Sequence, residues 1–211
     1  MPLNLYNGGA AVPHIRYMAG TSSWALSTEQ GTQTFKLPRC VFDLANIRTG
    51  WGIFAENSPP EWVWDPNLQT PAAKPQDGRE WKRGFGFNIL LPQEFGADRL
   101  REFATTATGA SEGLKKLYAQ YEEQLPAHRG QVPVVEFVDA TNIQIGKGRT
   151  NVPNFVILDW IDRPAALDDG QSKAPKAVPQ PQQSYQPAAS TVQPPQPSSA
   201  PDTGNLSKPV F

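Results

Sequence analysis

A mainly β domain followed by a disordered tail is the fold class this sequence predicts, and three observations carry it. Short apolar runs with strand-like alternation recur at 39–45, 51–55, 84–91, 132–138 and 155–161, whereas only 96–124 has helical spacing. All six Trp and nine of the ten Phe precede residue 168, enough aromatic volume for one domain's core. From Asp168 the chain is Pro, Gln, Ser and Ala, with Tyr185, Leu206, Val210 and Phe211 among its few large apolar residues. Such a stretch buries too little surface to offset its ordering entropy. The expected division is a folded domain over 1–167 and a disordered Pro/Gln-rich tail over 168–211.

Residues 1–33 are polar and Gly-rich, with short strands expected around 14–18 and 23–26. In the first strong strand, 39–45, Cys40, Phe42 and Leu44 alternate with Arg39, Val41 and Asp43. Turn residues at 46–50 then lead to a returning strand at 51–55. A proline-punctuated loop follows over 56–83, of a length that in compact domains is usually functional. After the strand 84–91, a helix is expected over 96–124, starting near Asp98 as N-cap and broken around Gly109. Leu114, Leu117, Tyr118 and Tyr121 form its apolar stripe. The last two strands are separated by a polar loop over 139–154. Strand, strand, strand, helix, strand, strand is the order of an OB-fold. The expectation is therefore an OB-like five-stranded Greek-key barrel with one helical segment between strands three and four. An RRM requires a helix directly after its first strand, where this chain has a hairpin turn.

Composition narrows the functional classes. A formal net charge of −1 argues against a polycation that grips duplex DNA through bulk charge, although a local basic groove stays open. The lone Cys40 excludes a disulfide or a cysteine-based zinc site within one chain. No basic segment followed by a long apolar run opens the sequence, and no stretch approaches the ~20 apolar residues of a membrane span. The expectation is a cytoplasmic protein without cofactor or metal.

Aromatic and basic residues interleave where a single-stranded nucleic acid would want them. In Lys82-Arg83-Gly84-Phe85-Gly86-Phe87, the two Phe point to one strand face and the two Gly flatten the other. Phe85 and Phe87 at that spacing suit successive bases, with Lys82 and Arg83 for phosphates; the competing reading is that both rings line the core. Trp62 and Trp64 share one side of an extended segment, and Trp81 and Trp51 lie near it in sequence. They form a stacking platform or anchor the loop. Lys147 and Arg149 sit among glycines in the loop before the last strand, a loop that contacts nucleic acid in OB-folds, and Arg48 lies in the first hairpin. Gly146-Lys147-Gly148 lacks the spacing of a P-loop. His14 and His128 have no partner in any catalytic motif. Asp43, Glu136, Asp139, Asp159 and Asp162 flank strands, and a cluster of them would hold Mg²⁺ for a nuclease.

The tail resembles that of bacterial single-stranded DNA-binding proteins, in which an OB-fold is followed by a Pro/Gln/Gly-rich linker and a Pro-hydrophobic-Phe tip that docks partners. Gln180-Pro181-Gln182-Gln183 and Pro194-Pro195-Gln196-Pro197 match the linker, and Pro209-Val210-Phe211 matches the tip. Asn205-Leu206-Ser207-Lys208 departs from the acidic run expected before it. The folded part resembles a family of uncharacterised proteins encoded by tailed phages and prophages, through Phe42-Asp43-Leu44-Ala45-Asn46-Ile47, Gly50-Trp51 and Trp160-Ile161-Asp162-Arg163-Pro164.

Together these imply a non-enzymatic phage single-stranded DNA-binding protein for replication or recombination, a homo-oligomer in the infected host's cytoplasm. Pro209, Val210 and Phe211 would recruit replication or recombination proteins. The alternatives are a phage structural or protein-interaction module and a metal-dependent nuclease.

Overall fold

The structure, a computed structural model, describes residues 13–28, 31–54, 60–96, 99–146 and 148–171. The chain is mainly β. Ten strands form one mixed sheet, ordered β10-β9-β4-β7-β8-β1-β2-β3, with β5 pairing β7 and β6 pairing β5. The strands are β1 (His14–Met18), β2 (Ser23–Thr28), β3 (Gly31–Phe35), β4 (Cys40–Phe42), β5 (Arg48–Ile53), β6 (Glu61–Trp64), β7 (Lys82–Leu90), β8 (Leu100–Thr105), β9 (Gln131–Ile145) and β10 (Gly148–Asp162). Helix α1 (Thr108–Gln124) joins β8 to β9, and α2 (Ala165–Gln171) follows β10. The β1–β8 pair is parallel and every other pair is antiparallel. Among the described residues β3 and β10 do not pair, so the sheet is open rather than a closed five-stranded barrel.

The sheet nevertheless curls over its own core. Trp24 of β2 lies 6.1 Å from both Phe137 of β9 and Phe155 of β10, although those strands are far from β2 in the sheet order. Asn151 of β10 donates to the Ala19 carbonyl at 2.6 Å, joining the far edge to the turn after β1. Trp24, Phe42, Phe87 and Phe103 are fully buried in this interior. On α1, Ala110, Leu114, Leu117 and Tyr121 face it at helical spacing. Gly109 and Gly113 let the helix approach β10 at Thr150 and Pro153.

Several sequence expectations change here. The helix expected over 96–124 is split: 100–105 is strand β8, and Asp98 lies outside the described residues. Phe103 and the β-branched Thr105 pair with β7, and that ladder outweighs helix propensity. Gly109 lies in the first turn of α1 rather than breaking it. The polar loop expected over 139–154 instead belongs to the paired strands β9 and β10, with Gly146 at φ +57° at the end of the arm. Polar cross-strand pairs sustain it, including Asn142 to Asn151 at 2.8 Å and Asn154 to Asp139 at 2.6 Å. The 56–83 segment contains β6, and 39–45 shortens to β4 followed by a 3₁₀ turn (Leu44–Asn46). Finally, α2 runs through the expected domain boundary. Leu167 is fully buried with Val41, Leu90 and Val132, which seats α2 against the sheet. Pro209, Val210 and Phe211 lie outside the described residues.

Candidate nucleic-acid interface

The two faces of β7 differ because glycine alternates with bulk along it. Phe85, Phe87 and Ile89 point inward and are 4 %, 2 % and 0 % exposed. The expectation that Phe85 and Phe87 present a stacking platform is therefore overturned. Their rings pack on one another at 5.9 Å and edge-on to Phe103 at 5.4 and 5.6 Å. Period-two alternation marks them as one face, but only the sheet's neighbours decide that this face is covered.

The opposite face carries Gly84 and Gly86, opposed by Gly50 and Arg48 of β5, with Gly52 opposite Lys82. On β6, Trp64 pairs with Gly50 and Trp62 with Gly52, which turns both indoles over this glycine surface. A Cβ at Gly52 would fall 2.9 Å from the Trp62 ring, and one at Gly86 would fall 2.8 Å from Trp64 Cη2. The glycines thus clear space that any side chain would fill. The two indoles stack with centroids 4.2 Å apart and planes 5° from parallel. Arg48 covers the outer face of this pair, 4.3 Å from the Trp64 ring, and Phe54 meets Trp62 edge-on at 5.7 Å. Glu102 holds Arg48 in place at 2.8 Å, and His14 lies 3.6 Å from the same carboxylate. Both tryptophans are half-buried and Phe54 is exposed. Phe54 joins the site without a motif of its own; its place two residues after Gly52, on the same face, is the one sequence signal for it.

Trp51 and Arg83 lie on the other side of the same strands. Arg83 grips Asp65 with two guanidinium nitrogens, at 2.8 and 2.5 Å, and its Cζ lies 5.3 Å from the Trp51 ring. Asp65 also accepts from the Thr49 hydroxyl and, at 2.7 Å, from the Ala72 N–H. The Arg83 guanidinium holds the Asp65 carboxyl far below the usual carboxylate range, against the opposing effect of burial, with Thr49 and Ala72 assisting. Trp51 Nε1 donates to the Ala72 carbonyl at 2.9 Å, so one network pins the return of the long loop.

Trp81 is buried, with its indole N–H on Asp77 at 2.9 Å. It anchors the loop, and its assignment as a stacking residue is corrected. Lys82 is exposed on the tryptophan face and pairs with Glu80 at 3.2 Å. Arg149 is exposed on the β9–β10 arm opposite Gln144, and Lys147 lies outside the described residues.

The strand acids go to separate partners. Asp43 is fully buried and receives Arg163 and Asn46; Glu136 pairs with Arg39; Asp139 accepts from Asn154; and Asp159 accepts from the Trp160 N–H. Among the described residues no three His, Cys, Asp or Glu side chains come together as a metal site. His128 stacks on Trp160 at 4.6 Å with planes 2° apart, a packing role. Among the described residues no helix is long and apolar enough to cross a membrane. No protein-family model, curated protein or solved structure matches this chain.

Proposed function

We propose that this chain is a phage single-stranded DNA-binding protein, acting in replication or recombination without catalysis of its own. The observation that carries the reading is the Trp62–Trp64 pair, two half-exposed indoles stacked on a surface that four glycines clear for them. Base–aromatic stacking contributes ~1–3 kcal/mol per base and is tolerant of sequence. The cations on this face for a phosphate backbone are Lys82, exposed beside Glu80, and Arg48, shared between the Trp64 ring and Glu102.

Connectivity supports the reading. Taking β4 and β5 together as a first strand, β7 and β8 as second and third, and β9 and β10 as fourth and fifth, the order and the position of α1 are OB-like. In OB-folds the face of strands two and three and the first and fourth loops contact oligonucleotides. Here β7 and β8 underlie the tryptophans, β6 belongs to the corresponding first loop, and Arg149 lies at the fourth. The N-terminal strands β1–β3 extend the sheet from β8.

Titration with a thymidine oligomer at low salt, followed by tryptophan fluorescence, tests the proposal. Quenching is expected, with strong weakening in a Trp62→Ala/Trp64→Ala variant; no quenching at low salt overturns it. The residues beyond Gln171 complete the proposal as a spacer whose Pro209, Val210 and Phe211 recruit replication or recombination proteins to a homo-oligomer in the host cytoplasm. A truncation after Gln171, which spares α2, is expected to keep DNA binding and lose recruitment.

A protein-interaction module is the second reading. Val138, Val156 and Leu158 favour it, as exposed apolar side chains on the paired strands β9 and β10.

A further inference from the structure

A groove of about 780 Å³ runs between α1 and the end of the sheet formed by β5 and β7. Trp51 and Arg83 line it on the sheet side, and Ser111, Lys115 and Tyr118 line it on α1. The Trp51 ring is fixed by its hydrogen bond to Ala72, and Arg83 beside it is fixed by Asp65. The wall is therefore pre-organised.

This groove is continuous with the tryptophan face. A Cβ at Gly84 would meet both Trp62 Cη2 and Thr106 Cγ2 at 2.9 Å, so the Thr106 methyl group sits at the foot of the Trp62 indole. Thr106, Gly84 and Lys82 also line the groove. One surface thus passes from the indole stack, around the rim of β7, to Trp51 and Tyr118.

Its charges are distributed unevenly. Lys82, exposed beside Glu80, is the cation at the rim, whereas in the walls Arg83 is held by Asp65, Lys115 is held by Glu112 at 2.7 Å and Glu122 adds a further negative group. A phosphate backbone suits the rim, and flat uncharged rings suit the interior.

We propose that the groove receives the bases that follow those held at Trp62 and Trp64, on one continuous single strand. The proposal rests on the single-strand reading above and extends it from a patch to a path. An extended peptide is the weaker occupant, because a groove walled by aromatic rings and a helix offers few backbone groups for strand pairing.

The test uses the full chain and thymidine oligomers of ~5 and ~20 nucleotides, one near the lower end of the range of single OB sites and one beyond its upper end. The first variant is Tyr118→Ala. The second is Ser111→Cys, alkylated after folding with a bulky maleimide; the native Cys40 is buried and stays unmodified. Both are expected to shrink the affinity advantage of the long oligomer by about fivefold or more, the lower end of one stacking contact. A photoreactive ~20-mer is expected to crosslink within α1 or at Trp51 as well as at Trp62 or Trp64. An unchanged long-oligomer advantage in the alkylated protein, with crosslinks confined to the tryptophan pair, overturns the groove while leaving the DNA-binding reading intact. Groove-directed binding of an unstructured peptide, displaced by no oligomer, also overturns it. If neither oligomer binds, both fall.

Discussion

Trp64 Cη2 lies only 2.8 Å from where a Cβ on Gly86 would stand. The contact is with the far end of a side chain, so a methyl group there displaces the indole more readily than it disturbs the sheet. Gly86→Ala is accordingly expected to lower oligothymidine affinity by about fivefold or more, equivalent to losing one stacking contact. Thermal unfolding is expected to change little. A large drop in melting temperature with unaltered affinity contradicts this account of the glycine face.

Phe87 provides the opposite case. Fully buried between Phe42, Phe85 and Phe103, it is expected to cost ~3–5 kcal/mol of stability on truncation to alanine. Urea denaturation measures that loss. At temperatures where the variant remains folded, its oligomer affinity is expected to match the wild type. A variant of normal stability and poor affinity would return Phe87 to the binding surface.

Asp43 and Arg163 tie the corner after β4 to the end of β10 through two 2.8 Å contacts. Asp43 is fully buried and Arg163 mostly so. Removing the carboxylate leaves Arg163 with only the exposed Asp168 as partner and Asn46 without its acceptor, so Asp43→Ala is expected to destabilise by ~1–3 kcal/mol. The loss is expected to be the same with or without Mg²⁺ in denaturant titrations. A Mg²⁺-dependent stability in the wild type that disappears in this variant would instead indicate a metal role.

The Asp65–Arg83 pair predicts a pH dependence with a definite sign. The folded protein holds the Asp65 carboxyl well below the ~3.9 of an unfolded chain, so near pH ~4 the unfolded state binds a proton that the folded state does not. The resulting stabilisation is complete above that value and is lost as pH falls toward the folded pKa. Asp65→Asn is expected to be less stable by ~1–3 kcal/mol at neutral pH, with a flatter decline below pH ~4. Acid unfolding followed by fluorescence of both proteins checks the difference in slope.

Backbone periodicity alone marks the local character of this protein: mainly strand, the apolar stripe of α1, Phe85 and Phe87 sharing a face, and Trp62 sharing one with Trp64. These follow from the two-residue and 3.6-residue periods of the backbone, which need no knowledge of neighbours. Which face meets water was beyond its reach. Only the pairing of β5, β6 and β7 showed that the phenylalanines line the core, while the glycines opposite them seat the tryptophans. Strand extent was also a tertiary matter. The ladder with β7 made 100–105 a strand, and polar cross-strand pairs carried β9 and β10 through a segment whose apolar alternation is limited to Ile143 and Ile145. Burial, close approach and long-range pairing depend on residues distant in sequence, as Asp43 and Arg163 illustrate, and a local pattern does not encode which distant partner arrives.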